Sequence, residues 1–163
     1  MNRVSSIMEQ MIAYSAGNPH DVHHFMKVWA YAKLIGEMEQ LDEQTQLILE
    51  VAAITHDIAC PLCREKYGST NGKLQEKECA VLVAEFLKGS GFTPEEIDRI
   101  AFLVGHHHTY ASIDGPDYQI LLEADYLVNA HESQYSPENI RQAYENIFVT
   151  PSGRMLLRTI YAV

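Results

Sequence analysis

Along most of this chain the apolar residues recur at every third or fourth position, the spacing that gives a helix one buried face. On that basis helices are predicted over residues 3–15, 20–38, 43–58, 74–88, 94–107, 117–132, 136–147 and 152–162. Boundary residues agree with several of these. Asn18-Pro19 precedes the second helix, Asp42 can cap the third, and Thr93-Pro94-Glu95-Glu96 combines a cap, a first-turn proline and first-turn acids. Ser136-Pro137-Glu138 repeats that pattern. No segment alternates polar and apolar residues as a half-buried strand would, and no internal repeat is visible. Extended loops are expected at 59–73, rich in Gly, Ser, Pro and Asn, and at 108–116. The stretch "QLILEVAAITHDIA" is apolar on nearly every side and should form the buried centre of a helical bundle.

Composition narrows the class. At 163 residues, 47% hydrophobic and 21% charged, the chain reads as one globular domain spanning 1–163. Twelve basic residues against 22 acidic ones leave a net charge of −10, which disfavours a nucleic acid polymer or an anionic membrane as partner. The apolar stretches are interrupted by Glu, His or Asp before reaching membrane-spanning length, and the N-terminus lacks the apolar core of a secretory signal, so a cytoplasmic location is expected. Three cysteines do not make a disulfide framework.

Chemistry enters through the polar residues that fall on apolar stripes. His24 precedes Val28, Tyr31 and Ile35 by whole helical turns and so points inward, whereas His23 lies over Lys27 on a wetter face. His56-Asp57 closes the buried central helix. Asp125 lies one turn beyond Leu121 and Leu122 and one turn before Val128, while the same register sends Glu123 elsewhere. A buried carboxylate needs a cation or strong donors. Each of these residues alone is more often a hydrogen-bonded core group than a ligand. His107, following Ile100, Leu103 and Val104, also faces inward, with His106 beside it at the helix end.

Taken in order, these elements resemble the HD-domain superfamily of metal-dependent phosphohydrolases. "HFMKV" from His24 is similar to the first-ligand motif, with Lys27 where a basic residue commonly stands. "AAITHDIA" is similar to the doublet motif and "LLEADYLVN" to the final-aspartate motif, so the resemblance covers about residues 20 to 130. It implies an all-α HD-domain bundle of about six to eight helices, with 136–163 as closing helices or a dimer surface. It also implies one divalent metal ion (Mn, Fe, Co, Ni, Mg or Zn) held by His24, His56, Asp57 and Asp125, acting on a small phosphate monoester or diester of nucleotide type. By the same analogy Asp57 orients or deprotonates the attacking water, and His106 and His107 contact phosphate or a second metal.

Other members with two metals place a histidine on the helix after the doublet, where this chain has none. Glu76 or Glu78 is an alternative ligand there, although first-turn glutamates are ordinarily helix-dipole partners. Lys27, Arg64, Lys66 and Tyr67 are the expected substrate contacts, a solvated loop being the alternative for the last three. Tyr67, Tyr110 and Tyr118 are placed to stack on a base. Cys60 and Cys63 have dithiol spacing, but Cys60 follows a helix C-terminus, no thioredoxin-like alternation surrounds it, and a zinc knuckle would need a second pair beyond Cys79. Two rival readings stand beside the phosphohydrolase. One is a non-enzymatic metal- or ligand-binding sensor built on the same frame. The other is a dithiol oxidoreductase.

Overall fold

In the computed structural model, which describes residues 2–163, the chain is all helix apart from its connections. Nine helices are present among the described residues: α1 (Arg3–Tyr14), α2 (Pro19–Met38), α3 (Glu43–Thr55), α4 (Cys60–Tyr67), α5 (Gly72–Phe86), α6 (Pro94–His106), α7 (Pro116–Glu132), α8 (Pro137–Asn146) and α9 (Pro151–Tyr161). The eight segments expected from periodicity each appear. Their caps are formed as the sequence suggested: Asn18 accepts from Asp21 N, Asp42 from Gln44 N and Thr45 N, and Thr93 and Glu96 complete a reciprocal capping box.

The ninth helix corrects the reading of 59–73 as loop. Pro61 falls in the first turn of α4, where its missing N–H costs nothing, and Gly68 takes φ +63° to end the helix. Both residues punctuate a helix here instead of a loop, and the residues between them, "LCREKY", tolerate helical geometry. Cys60 therefore opens a helix, contrary to the expectation that it merely trails one.

α3 is the centre. Every residue from Ile48 to Thr55 is buried, and the helix packs against α1, α2, α6 and α7. By length and composition the run Glu43–Tyr67 is apolar enough to cross a membrane, but 72% of its apolar window is buried inside the fold and a turn at 56–59 breaks it. One hydrophobic cluster extends from Ile7 on α1 to Leu157 on α9.

Glu123 does go elsewhere than Asp125, into full burial at the start of α9. Its carboxylate accepts from Gln119 Nε2 (2.7 Å), Val149 N (2.7 Å), Thr150 N (3.0 Å) and the Thr150 hydroxyl. Gly153 makes room for it, since a Cβ there would stand 2.0 Å from Glu123 Oε2. A second strap runs from Ser152 N to Glu39 Oε1 at the end of α2 (2.9 Å). Together these acids hold α9 against the end of α2 and the middle of α7.

Candidate metal centre

Two helices and one turn converge on a single point. α2 delivers His24, the α3–α4 turn delivers His56 and Asp57, and the middle of α7 delivers Asp125. His24, His56 and Asp125 are 5%, 0% and 3% exposed. His24 Nε2 lies 3.2 Å from His56 Nε2, 3.3 Å from Asp125 Oδ1 and 3.4 Å from Asp57 Oδ2. His56 Nε2 lies 3.5 Å from Asp125 Oδ1 and 3.6 Å from Asp57 Oδ2. Ligand atoms about 2.0–2.2 Å from one ion stand roughly 3.0–3.6 Å from each other, so these separations are the edges of a coordination polyhedron.

The opposite nitrogens say which atoms face the centre. His56 Nδ1 lies 2.8 Å from Ala53 O, and His107 Nδ1 lies 2.7 Å from Val104 O. A carbonyl only accepts, so each Nδ1 carries the proton and each Nε2 offers a lone pair. His24 Nδ1 lies 2.7 Å from Glu132 Oε2 instead. Asn129 Nδ2 donates to Asp125 Oδ1 at 2.8 Å. Two imidazole lone pairs and two carboxylates facing one another in a buried space repel unless a cation lies between them, and this donor set fits a divalent ion.

Without a metal, protons serve that purpose. Burial pulls the His24 imidazole down, but Asp125, Asp57 and Glu132 outweigh it and hold its pKa up at about 9. Burial pushes the Asp57 carboxyl up, but His56, His107 and His24 hold it well below the usual range. Asp125 is likewise pushed up by burial and brought down further by hydrogen bonds to His24 and His56.

A second cluster adjoins the first. His107 Nε2 faces the other Asp57 oxygen, Oδ1, at 3.5 Å, and with His56 these residues form a second group able to hold an ion. The Nε2 atoms of His107 and His108 are both buried without a hydrogen-bond partner. His108 lies against His107 with ring centroids 3.8 Å apart and planes tilted by 44°, and it is flush against Gly72, where a Cβ would come within 2.8 Å of its ring. Burial and then the neighbouring His107 lower the His108 pKa to about 4.

The cleft over the centre holds about 240 Å³ and is lined by Asp21, Arg64, Gln75, His108 and Asn129 along with His24, Asp57 and Asp125. Several residues expected there are elsewhere. His106 is exposed, stacked on Phe102 at 4.2 Å with Nδ1 on Phe102 O, because the helical step that turns His107 inward turns His106 out. Lys66 and Tyr67 both donate to Glu78 Oε1 (2.7 and 2.5 Å) on the flank between α4 and α5, outside the cleft. Glu78 is thereby engaged, and Glu76 accepts from Thr109 Oγ1 at 2.6 Å. Lys27 donates to Glu132 Oε1 at 2.5 Å and faces a neighbouring cavity of about 630 Å³ that shares His20 and Glu132 with the cleft. Arg64 reaches the cleft mouth, held fork to fork by Asp21 at 2.6 and 2.7 Å. Tyr118 is a core residue whose hydroxyl donates to His106 O and Thr109 O.

Sequence reasoning missed Asn129 and Glu132. They follow Asp125 by four and seven residues on one face of α7, a spacing that was there to be read. The three cysteines are free and buried. Burial followed by the Asp57 charge pushes the Cys60 thiol up, the opposite of a reactive dithiol even at a helix start.

Comparison with known proteins agrees with this geometry. The model of the HD domain family matches residues 21–140. The fold is similar to the crystal structure of a predicted HD superfamily hydrolase from an uncultured Thermotogales bacterium, with a TM-score of 0.68 and 20% identity over 98% of this chain and 83% of that one. No curated protein matches the sequence. With His24, the His56-Asp57 doublet and Asp125 all inside or at the centre of the matched span, this chain belongs to the HD domain family.

Proposed function

We propose that this protein is a metal-dependent phosphohydrolase acting on a small phosphate monoester or diester of nucleotide type. The observation that carries the reading is the convergence of His24, His56, Asp57 and Asp125 on one buried point at ligand spacing. A divalent ion held there lowers the pKa of a water and polarises a phosphoryl oxygen. Mn, Fe, Co, Ni, Mg and Zn all suit a mixed imidazole and carboxylate set.

The chain's own groups then divide the work. Asp57 holds one oxygen toward His24 and His56 and the other toward His107, so it can orient the attacking water and take its proton. His107, with Nδ1 fixed to Val104 O, offers its free Nε2 as an acceptor to that water and, once protonated, as a donor to a phosphate oxygen. Arg64 supplies counter-charge at the mouth, since its pairing with Asp21 leaves it exposed enough to turn toward an arriving phosphate. The leaving group extends into the adjoining cavity past His20, where His23 and Tyr135 offer aromatic faces.

One ion per chain is the stoichiometry proposed. A second reading, two ions, is favoured by the unpartnered Nε2 atoms of His107 and His108 beside Asp57.

The test is elemental analysis of protein purified without added metal, then a panel of nucleoside phosphates and cyclic nucleotides with Mn, Co, Ni and Mg. Turnover that depends on metal and is lost in Asp57→Ala and Asp125→Ala supports the proposal. Undiminished activity in those variants refutes the mechanism, and an occupied centre with no turnover on any ester identifies a metal-binding sensor.

A further inference from the structure

The three inward imidazoles of the centre are not anchored alike. His56 and His107 each donate Nδ1–H to a carbonyl three residues earlier in their own helical turn, Ala53 O and Val104 O. His24 has no such carbonyl partner. Its Nδ1 meets the Glu132 carboxylate, 108 residues away in sequence, at 2.7 Å. Glu132 is itself fixed from the other side, where Lys27, one turn after His24 on α2, donates to Oε1 at 2.5 Å. Lys27, Glu132 and His24 thus form a chain of charge-assisted bonds joining α2 to the end of α7.

The same stretch of α7 carries three related contributions. Asp125 faces the centre, Asn129 one turn later donates to Asp125 Oδ1, and Glu132 nearly a turn after that engages His24. Glu132 is only 16% exposed at its side chain and is held between His24 at 2.7 Å and Lys27 at 2.5 Å. A carboxylate on Nδ1–H fixes the tautomer and ring plane and makes Nε2 a better electron donor than a carbonyl would.

We infer that Glu132 is a positioning residue for the centre, which sets the ring orientation and donor strength of His24 through the Nδ1 hydrogen bond and so sets how tightly the centre holds its ion. Lys27 acts on Glu132 from the outer side and neutralises its charge; it does not need to touch substrate. This inference rests on the metal site proposed above, but none of its readouts uses turnover.

The probe is zinc. Dissociation constants are measured by competition with a chromogenic chelator for the wild type and Glu132→Gln, with folding checked by circular dichroism. The expected result is a weakening of about 10- to 100-fold in Glu132→Gln. An amide at this position can donate as well as accept, so it no longer imposes one tautomer. The second measurement reads the His24 ring directly. In zinc-loaded, 15N-labelled wild type, the His24 imidazole is expected to keep a slowly exchanging proton on Nδ1, and that proton exchanges faster in Glu132→Gln. A structural strap alone would lower thermal stability and leave both readouts unmoved. Zinc affinity within twofold of wild type in folded Glu132→Gln, or zinc-loaded wild type with its His24 proton on Nε2, overturns the inference. Zinc bound in this manner by a protein that hydrolyses no phosphate ester removes the function proposed above and leaves this inference standing. A chain that binds neither zinc nor any other divalent ion removes both.

Discussion

His24 is a buried histidine whose charge is set by three surrounding carboxylates. In the metal-free protein its imidazolium lies between Asp125, Asp57 and Glu132, with a pKa held up at about 9 against an ordinary value of 6.5. A group whose pKa is raised on folding stabilises the fold fully below its unfolded value and loses that contribution as pH rises through the folded one. Metal-free protein is therefore expected to lose on the order of 3 kcal/mol between about pH 6.5 and 9. Asp57 and Asp125 act in the opposite direction. Their pKa values are depressed, so their contribution is present above the usual carboxyl range and falls away in acid. Urea midpoints measured in chelator across pH 4–10 should peak on the acid side of neutrality, and His24→Ala should flatten the alkaline fall.

The same proton competes with the ion. Metal affinity should rise with pH up to about 9, with release of a proton that calorimetry in buffers of different ionisation enthalpy can count. At this scale the sequence disclosed the inward residues, because burial of a polar side chain follows from helical phase. It did not disclose Glu132's bond to His24, Arg64's hold on Asp21 or Lys27's commitment. Those are pairings between helices distant in sequence, and side-chain reach across a helix interface has no periodic signature.

Among the helices, α9 depends on an acid from another element. Glu123 on α7 satisfies the backbone N–H groups of Val149 and Thr150 and the Thr150 hydroxyl that caps α9. Removing it leaves buried donors without partners at about 1–3 kcal/mol each. Glu123→Ala should cost about 3 kcal/mol or more, roughly a 6–12 °C fall in melting temperature for a chain of this size. Gly153→Ala should destabilise through the same contact, because its Cβ would fall 2.0 Å from Glu123 Oε2. Thermal unfolding followed by circular dichroism measures both. The helices that periodicity predicted are those with long amphipathic faces or strong caps. α4 escaped because its eight residues are too few to show a period, and because proline and glycine mark helix ends and loops with equal frequency.

For the whole molecule, the centre ties α2, the α3–α4 turn and α7 at one point, so the ion should act as a cross-link. An ion bound only by the folded state stabilises it by about 4 kcal/mol at a thousandfold excess over its dissociation constant. Chelator should therefore lower the melting temperature by roughly 8–16 °C. Equal melting temperatures with and without chelator in protein shown to contain metal would mean the cluster is held by the helices alone. Asp57→Ala should narrow the gap.

The backbone anchors of His56 and His107 bear on how this centre can change over evolutionary time. A carbonyl three residues back belongs to the main chain, and no substitution that preserves the helix can delete it. Among the three inward imidazoles, only His24 takes its orientation from a side chain. A change in how the centre holds its ion would therefore be freest to begin at residue 132, where one base change in the codon would alter the partner of His24 and spare every proposed ligand.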